Sequence, residues 1–169
     1  WVYKVFVELG FSMGAFTMAD LAGLDLGWDS AVSKSASVRA RLCELGRFGQ
    51  KTSAGFYDYD EKRRPSPSSL VADLVKDHAQ VSDIAQREVS DEEILDRCIL
   101  PMVNEGAKLL DEGIAMRASD IDVVYVYGYG WPIYRGGPMH YANSLGLDKV
   151  LEKLNHYHKV TGDDFWEPS

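Results

Sequence analysis

Between Asp120 and Asp148 the chain reads DIDVVYVYGYGWPIYRGGPMHYANSLGLD, an acid pair and an aromatic run broken by repeated glycines and by two prolines. So much punctuation fixes the backbone by sterics and leaves room for a helix, a turn and a second helix. Ser119 is placed to cap a helix opening at Asp120, whose own carboxylate and that of Asp122 suit the positive end of the helix dipole. Gly128 and Gly130 are expected to end that helix. Gly136, Gly137 and Pro138 then give a turn and a fresh start, because glycine accepts turn geometry and proline is tolerated in a first helical turn.

A weaker copy of this signal lies near the N-terminus. Aligning Gly14–Asp25 (GAFTMADLAGLD) with Gly137–Asp148 (GPMHYANSLGLD) pairs Gly14 with Gly137, Ala19 with Ala142, Gly23 with Gly146, Leu24 with Leu147 and Asp25 with Asp148, with Asp20 facing Asn143 as a near match. An internal repeat is read as one supersecondary unit used twice, each copy hiding its apolar face on neighbouring structure. Residues 1–25 and 121–148 are thus expected to form corresponding helix–turn–helix units, the first with the shorter turn.

Four stretches carry a family likeness in a fixed order: GFSMGAFTMADLAGLDLGWD (Gly10–Asp29), GRFGQKTSAGFYDYD (Gly46–Asp60), ILPMVNEGAKLLDEGI (Ile99–Ile114) and the opening stretch. With them the chain resembles the C-terminal helical region of the 3-hydroxyacyl-CoA dehydrogenase family, and most closely that of the multifunctional β-oxidation enzymes that carry the helical unit twice. The resemblance implies an all-α fold of two tandem helical repeats without the Rossmann domain. It assigns residues 1–60 to a first repeat truncated at its N-terminus, 61–89 to a linker with a connecting helix, and 90–169 to the second repeat.

Charge and composition exclude several classes of partner. The 169 residues carry a formal charge of −8 and a pI near 4.9, which argues against nucleic acid or an anionic membrane, since phosphates call for a dominant basic face. Cys43 and Cys98 are far apart and form no CxxC pair, so neither a disulfide framework nor a zinc site is expected. No apolar run is long enough to span a bilayer. Starting at Trp1, inside the first repeat, the chain reads as part of a larger protein.

Taken in order, Trp1, Val2, Val5, Phe6 and Leu9 recur at helical spacing up to Gly10, Thr17–Leu21 reads as a short helix, and 27–37 as a loop. Val38–Leu45 returns to helical pattern. DEKRRPSPSS (Asp60–Ser69) has linker composition, and Leu70, Val71, Leu74, Val75 and His78 mark an amphipathic helix. SDEE at Ser90–Glu93 is a capping box. It opens a long helix whose apolar stripe is Ile94, Leu95, Cys98, Ile99, Met102, Val103, Leu109 and Leu110, with a kink expected before Pro101. A last helix is expected over 149–160.

Chemistry is harder to place. His156 and His158 sit two apart, on different helix faces, so a shared metal is not expected, and His140 has no evident orienting carboxylate. The glycine loop at Gly46–Tyr59 has neither GxxxxGK[ST] nor GxGxxG spacing and reads as structural. Asn104 and Glu105 stand mid-helix beside the apolar stripe, where an amide needs hydrogen bonds. In the resembled family an Asn of this Asn-Glu motif helps to position substrate, but on the first helical unit. The resemblance therefore leaves Asn104 as a structural tie, with a catalytic role as the alternative. Lys34, Arg39, Arg41, Arg47 and Lys51 form a basic segment, of which Arg47 and Lys51 are candidates for a domain-docking or coenzyme A phosphate patch, against the plainer reading of a solvated face.

No catalytic residue or metal ligand is assigned to this chain, and no substrate contact is identified. The resemblance implies a parent that oxidises 3-hydroxyacyl-CoA with NAD held by a Rossmann domain outside this chain, alongside a hydratase domain. Its compartment would be cytoplasmic in a bacterium and peroxisomal in a eukaryote. A non-catalytic interaction or assembly module is the alternative.

Overall fold

The computed structural model describes residues 2–31, 37–85 and 87–169. It is helical apart from one two-stranded hairpin: α1 (Val2–Leu9), α2 (Ala15–Ala22), α3 (Val38–Glu44), β1 (Tyr57–Tyr59), β2 (Pro65–Pro67), α4 (Ser69–Val81), α5 (Asp91–Asp111), α6 (Ala118–Gly128), α7 (Pro138–Leu145) and α8 (Leu147–Thr161). The all-α expectation holds. Contacts divide the chain into two compact units, 2–12 with 89–169 and 13–88. The division differs from the expected 1–60, 61–89 and 90–169. Leu9 of α1 belongs to the same apolar cluster as Ile99, Leu100 and Val103 of α5, so the first helix sits in the unit of the second repeat.

In that larger unit, α5 is the spine. Ser90 Oγ accepts from Glu93 N at 3.1 Å, the expected cap, and three acids occupy the first turn where the dipole favours them. The helix runs unbroken through Pro101. Its buried side differs from the predicted stripe by including Asp96, Leu100, Asn104 and Gly106. Around it pack Trp131, Ala142, Val150, Leu154, Tyr157 and Trp166, the last from a 3-10 turn at Asp164–Trp166 that the periodicity did not show.

The α6–α7 junction is built by acids and glycines acting across elements. Helix α6 starts two residues earlier than expected, with Arg117 at its cap position and no side-chain cap, so Ser119 lies inside the helix. Asp122 serves the next helix rather than its own. Its carboxylate accepts from Met139 N at 2.7 Å and from His140 N at 3.1 Å, the first free donors after Pro138. A side chain on Gly137, which has φ 93°, would run into that carboxylate, which explains the glycine before the proline. The turn between the helices also holds α1, since Tyr134 OH and Arg135 Nε donate to the terminal carbonyl of Leu9 at 3.0 and 2.6 Å.

The smaller unit has its own core of Leu24, Leu42, Cys43 and Val71, flanked by Phe48 and Phe56. Leu42 is fully enclosed, which stabilises by about 2 kcal/mol on the transfer scale. The expected linker at 60–69 is instead a hairpin, with Tyr57 opposite Pro67 and Tyr59 opposite Pro65. Asp60 makes the turn, its carboxylate accepting from the backbone of Lys62 and Arg64, both at 2.9 Å. Proline is tolerated there because β2 is an edge strand.

Candidate functional site

Three places gather polar side chains in the interior: the seat of Asp20, the cleft beside Asn104, and an ionic cluster around Asp96.

Asp20, in the last turn of α2, is only 1% exposed although Leu21 beside it is open to solvent. Its carboxylate accepts from Phe56 N at 2.9 Å, Tyr57 N at 3.0 Å and Tyr59 OH at 2.8 Å. The glycines of GRFGQKTSAGFYDYD make this approach feasible. A Cβ on Gly55 would meet the Asp20 carboxylate, and one on Gly49, at φ 103°, would meet the Asp20 backbone. The loop is therefore a cradle for a carboxylate of its own chain. Burial raises the Tyr59 phenol, and its hydrogen bond to Asp20 adds to the rise.

The basic segment closes the same unit. Arg47 is largely enclosed, donating from Nε to Gly55 O at 2.9 Å and from its terminal nitrogen to Asp58 Oδ1 at 2.7 Å. Burial alone would raise the Asp58 carboxyl, but Arg47 and Ser68 outweigh it and hold it below its ordinary value. Lys51 reaches Asp25 at 2.5 Å, and Arg39 donates to the carbonyls of Leu24, at 2.8 Å, and Leu26. Arg41 is exposed, and Lys34 lies outside the described residues. Arg47 and Lys51 thus lie in one loop, but each charge meets a partner within the unit.

In the larger unit Asn104 is 3% exposed on α5. Its Nδ2 donates to Glu167 O at 2.8 Å and its Oδ1 accepts from Ser169 N at 3.1 Å, so one amide grips the tail at two residues two apart. The next residue, Glu105, is exposed and is not part of this arrangement. Beside Asn104 opens a cleft of about 530 Å³ lined mainly by apolar side chains of α5, α7 and α8, including Leu110, Met139, Leu147 and Leu151, with Asn143 and Ser169 among its polar members. Gly106 lets α7 come close, since a side chain there would meet Met139. Such a lining can hold apolar matter and orient it through amides. Among its described lining residues there is no histidine or acid–base pair.

The third place escaped the sequence reading. Lys153 Nζ lies 2.6 Å from Asp96 Oδ2 and 2.8 Å from Glu92 Oε1, and Tyr157 OH donates to Asp96 at 3.1 Å. Burial would lower the Lys153 ammonium, but its hydrogen bonds to both carboxylates raise it. The signal was present as i, i+4 pairs, Glu92 with Asp96 and Lys153 with Tyr157. What could not be read was which faces of α5 and α8 meet. The paired charges make this a structural tie between two helices. Of the histidines, His156 packs edge-on to Tyr157, and His140 is exposed, its backbone N–H donating to Asp122. Among the described residues no cluster of three metal-ligating side chains occurs, and no helix is long and apolar enough to cross a membrane.

Comparison with known proteins places these features. The family model of the 3-hydroxyacyl-CoA dehydrogenase C-terminal domain matches residues 3–59 and 94–169, two stretches corresponding to the two repeats. The human peroxisomal bifunctional enzyme is 41% identical over 96% of this chain, and the fatty acid oxidation complex subunit alpha of Vibrio cholerae is 33% identical over 94%. The chain spans about a quarter of the length of these curated relatives, 25% and 23% respectively. The dehydrogenase part of multifunctional enzyme 1 from C. elegans superposes with a TM-score of 0.74 at 28% identity, over 99% of this chain and 40% of that one. The 3-hydroxybutyryl-CoA dehydrogenase of Escherichia coli shares the fold, with a TM-score of 0.68 at 18% identity over all of this chain and 53% of that one. With its matched stretches covering most of its length, the chain belongs to the 3-hydroxyacyl-CoA dehydrogenase C-terminal domain family.

Proposed function

We propose that this chain is the C-terminal helical portion of a NAD-dependent 3-hydroxyacyl-CoA dehydrogenase of fatty-acid β-oxidation, where it supports the substrate cleft and a domain interface. The observation that carries the reading is the family match in two stretches, together with multifunctional β-oxidation enzymes as relatives matched across nearly the whole chain. An acyl-CoA substrate, a Rossmann domain and a hydratase domain are the partners this implies. A peroxisomal or glyoxysomal setting follows the eukaryotic relatives, and a cytoplasmic one would suit a bacterial source.

NAD is needed to accept the hydride, but the described residues do not fit it. The one sheet is an antiparallel hairpin, and the glycine-rich loop surrounds the Asp20 carboxylate, which would repel a pyrophosphate. The cofactor is therefore assigned to a domain outside this chain. Asn104, held by the tail at both ends of its amide, is assigned a fastening role, and Arg47 and Lys51 a role in closing the Asp20 loop.

The test is NADH formation from a 3-hydroxyacyl-CoA by the purified 169-residue chain and by the longer protein that contains it. Activity of the longer protein with none in the chain alone is expected. Turnover by the chain alone would overturn the assignment of chemistry elsewhere, and an inert longer protein would favour a purely assembling module.

A further inference from the structure

Past Asp122 helix α6 carries only aliphatic and aromatic side chains, on every side, which is the pattern of a helix segment buried all round. Its inner face is accounted for: Ile121 is buried, and Tyr125 and Val126 pack against the core of the larger unit. Its outer face is not. Val123, Val124 and Tyr127 share one side of the helix by their spacing and are 55%, 54% and 79% exposed. The exposed run continues through Tyr129, Ile133 and Tyr134 in the turn that follows. From Asp122 to Arg135 no charged residue intervenes. Helix α8 of the same unit, by contrast, shows solvent Lys149, Glu152 and Lys159, the ordinary dress of a surface helix.

We infer that the outer face of α6, with the turn after it, is the surface on which another domain of the same polypeptide docks. The inference rests on the proposed function, and it names the surface that reading leaves unspecified. Three features select this occupant. Tyrosines with aliphatic neighbours and no charge are the composition of an interface centre, and they offer nothing to an anionic or strongly charged ligand. The relatives supply a candidate, since with 25% of the human enzyme matched about three quarters of that protein lies outside the matched region. Size then separates a tethered domain from a second copy. An 11-residue helix is about 16 Å long and about 10 Å wide, far short of the roughly 800 Å² per partner of a stable free interface. A domain on the same chain acts at an effective concentration near the millimolar range, for which a small apolar face suffices.

The experiment is hydroxyl-radical footprinting of Tyr127, Tyr129 and Tyr134 in the 169-residue chain and in the longer protein, each at two concentrations, with Val124→Asp/Tyr127→Asp as the variant. Labelling severalfold lower in the longer protein at both concentrations, and restored at Tyr129 by the double substitution, is expected. Equal labelling in the two proteins would overturn the inference. So would protection already present in the 169-residue chain that grows with concentration, which is the mark of self-association. Wild-type protection needs no folded variant to be interpreted. Loss of dehydrogenase activity with protection intact would count against the proposed function and leave the docking surface standing.

Discussion

Helices α2 and α7 are the same length and end on the same glycine geometry, Gly23 at φ 101°, ψ 121° and Gly146 at φ 94°, ψ 123°. Their surroundings then diverge. In the first, Asp20 is buried under three donors and Leu24 is 1% exposed; in the second, Asn143 stands exposed in a cleft and Leu147 is 63% exposed. One backbone pattern therefore serves two ends. Where a glycine-rich loop folds over the helix it seals a carboxylate, and where α8 follows at once, without such a loop, the same helical position is left open. The difference teaches that the shared pattern fixes helix length and termination, while burial depends on what the following segment supplies.

The comparison is most easily broken at Asp20. Asp20→Ala orphans two backbone amides and a phenol around a buried seat, at about 1–3 kcal/mol each before relaxation, so a loss on the order of 4 kcal/mol is expected. Denaturant unfolding together with exchange of the Phe56 and Tyr57 amides checks it, and a loss under about 1 kcal/mol would show that the seat is not what holds the loop. Arg47→Gln should come next, at about 3 kcal/mol, because it removes a charged partner of Asp58 and leaves the Gly55 carbonyl unserved. A change confined to substrate affinity in the longer protein, with stability intact, would restore the coenzyme A reading of this residue.

Asn104→Ala tests the other unit. Loss of the grip on Glu167 and Ser169 should cost roughly 2 kcal/mol and loosen the tail, visible as faster exchange after residue 163. An untouched tail with lost activity in the longer protein would point to substrate instead. The ionic tie in this unit has a pH signature. The Tyr157 phenol is pushed up to about 12 by burial and by the Asp96 carboxylate, from an ordinary value near 10. A folded value above the unfolded one contributes stability that is complete below pH 10 and fades as pH rises through about 12. Asp96→Asn should bring tyrosinate formation to lower pH in an ultraviolet titration. If the titration does not move, the carboxylate is not what restrains the phenol.

The smallest effect sharpens the comparison most directly. Asn143→Ala, at the position that matches Asp20, is expected to stay within about 0.5 kcal/mol of the parent, as surface changes do. Lys51→Glu should leave stability nearly unchanged, since its pair with Asp25 is half in water. A large loss for Asn143→Ala would mean that the two helices are loaded alike after all.

Particular residues show where sequence reading stops. Ser90 capping Glu93, the Gly136–Gly137–Pro138 break and the glycine ends of α2 and α7 were legible, because each depends on neighbours a few positions away. Asp122 was read as serving its own helix, and Asp60–Ser69 as a linker. Their true partners, the amides of α7 and the opposite strand, lie across a turn whose direction composition does not encode. Asp20 gave even less warning, as its donors are 36 to 39 residues away.

By itself the sequence determined the helical class, the order and ends of most helices, the duplicated motif and the family that motif belongs to. The helices and their ends follow from local sterics and periodicity, which act within a turn or two of chain, whereas the family was read from the resemblance of the matching stretches. Only the tertiary structure decided that α1 joins the later unit, that the glycine loop closes on a carboxylate, that Asn104 holds the tail, and that α6 keeps an apolar face toward solvent. Each of these turns on which faces meet, and hydrophobic burial, being non-directional, selects the meeting faces only when the whole unit is packed.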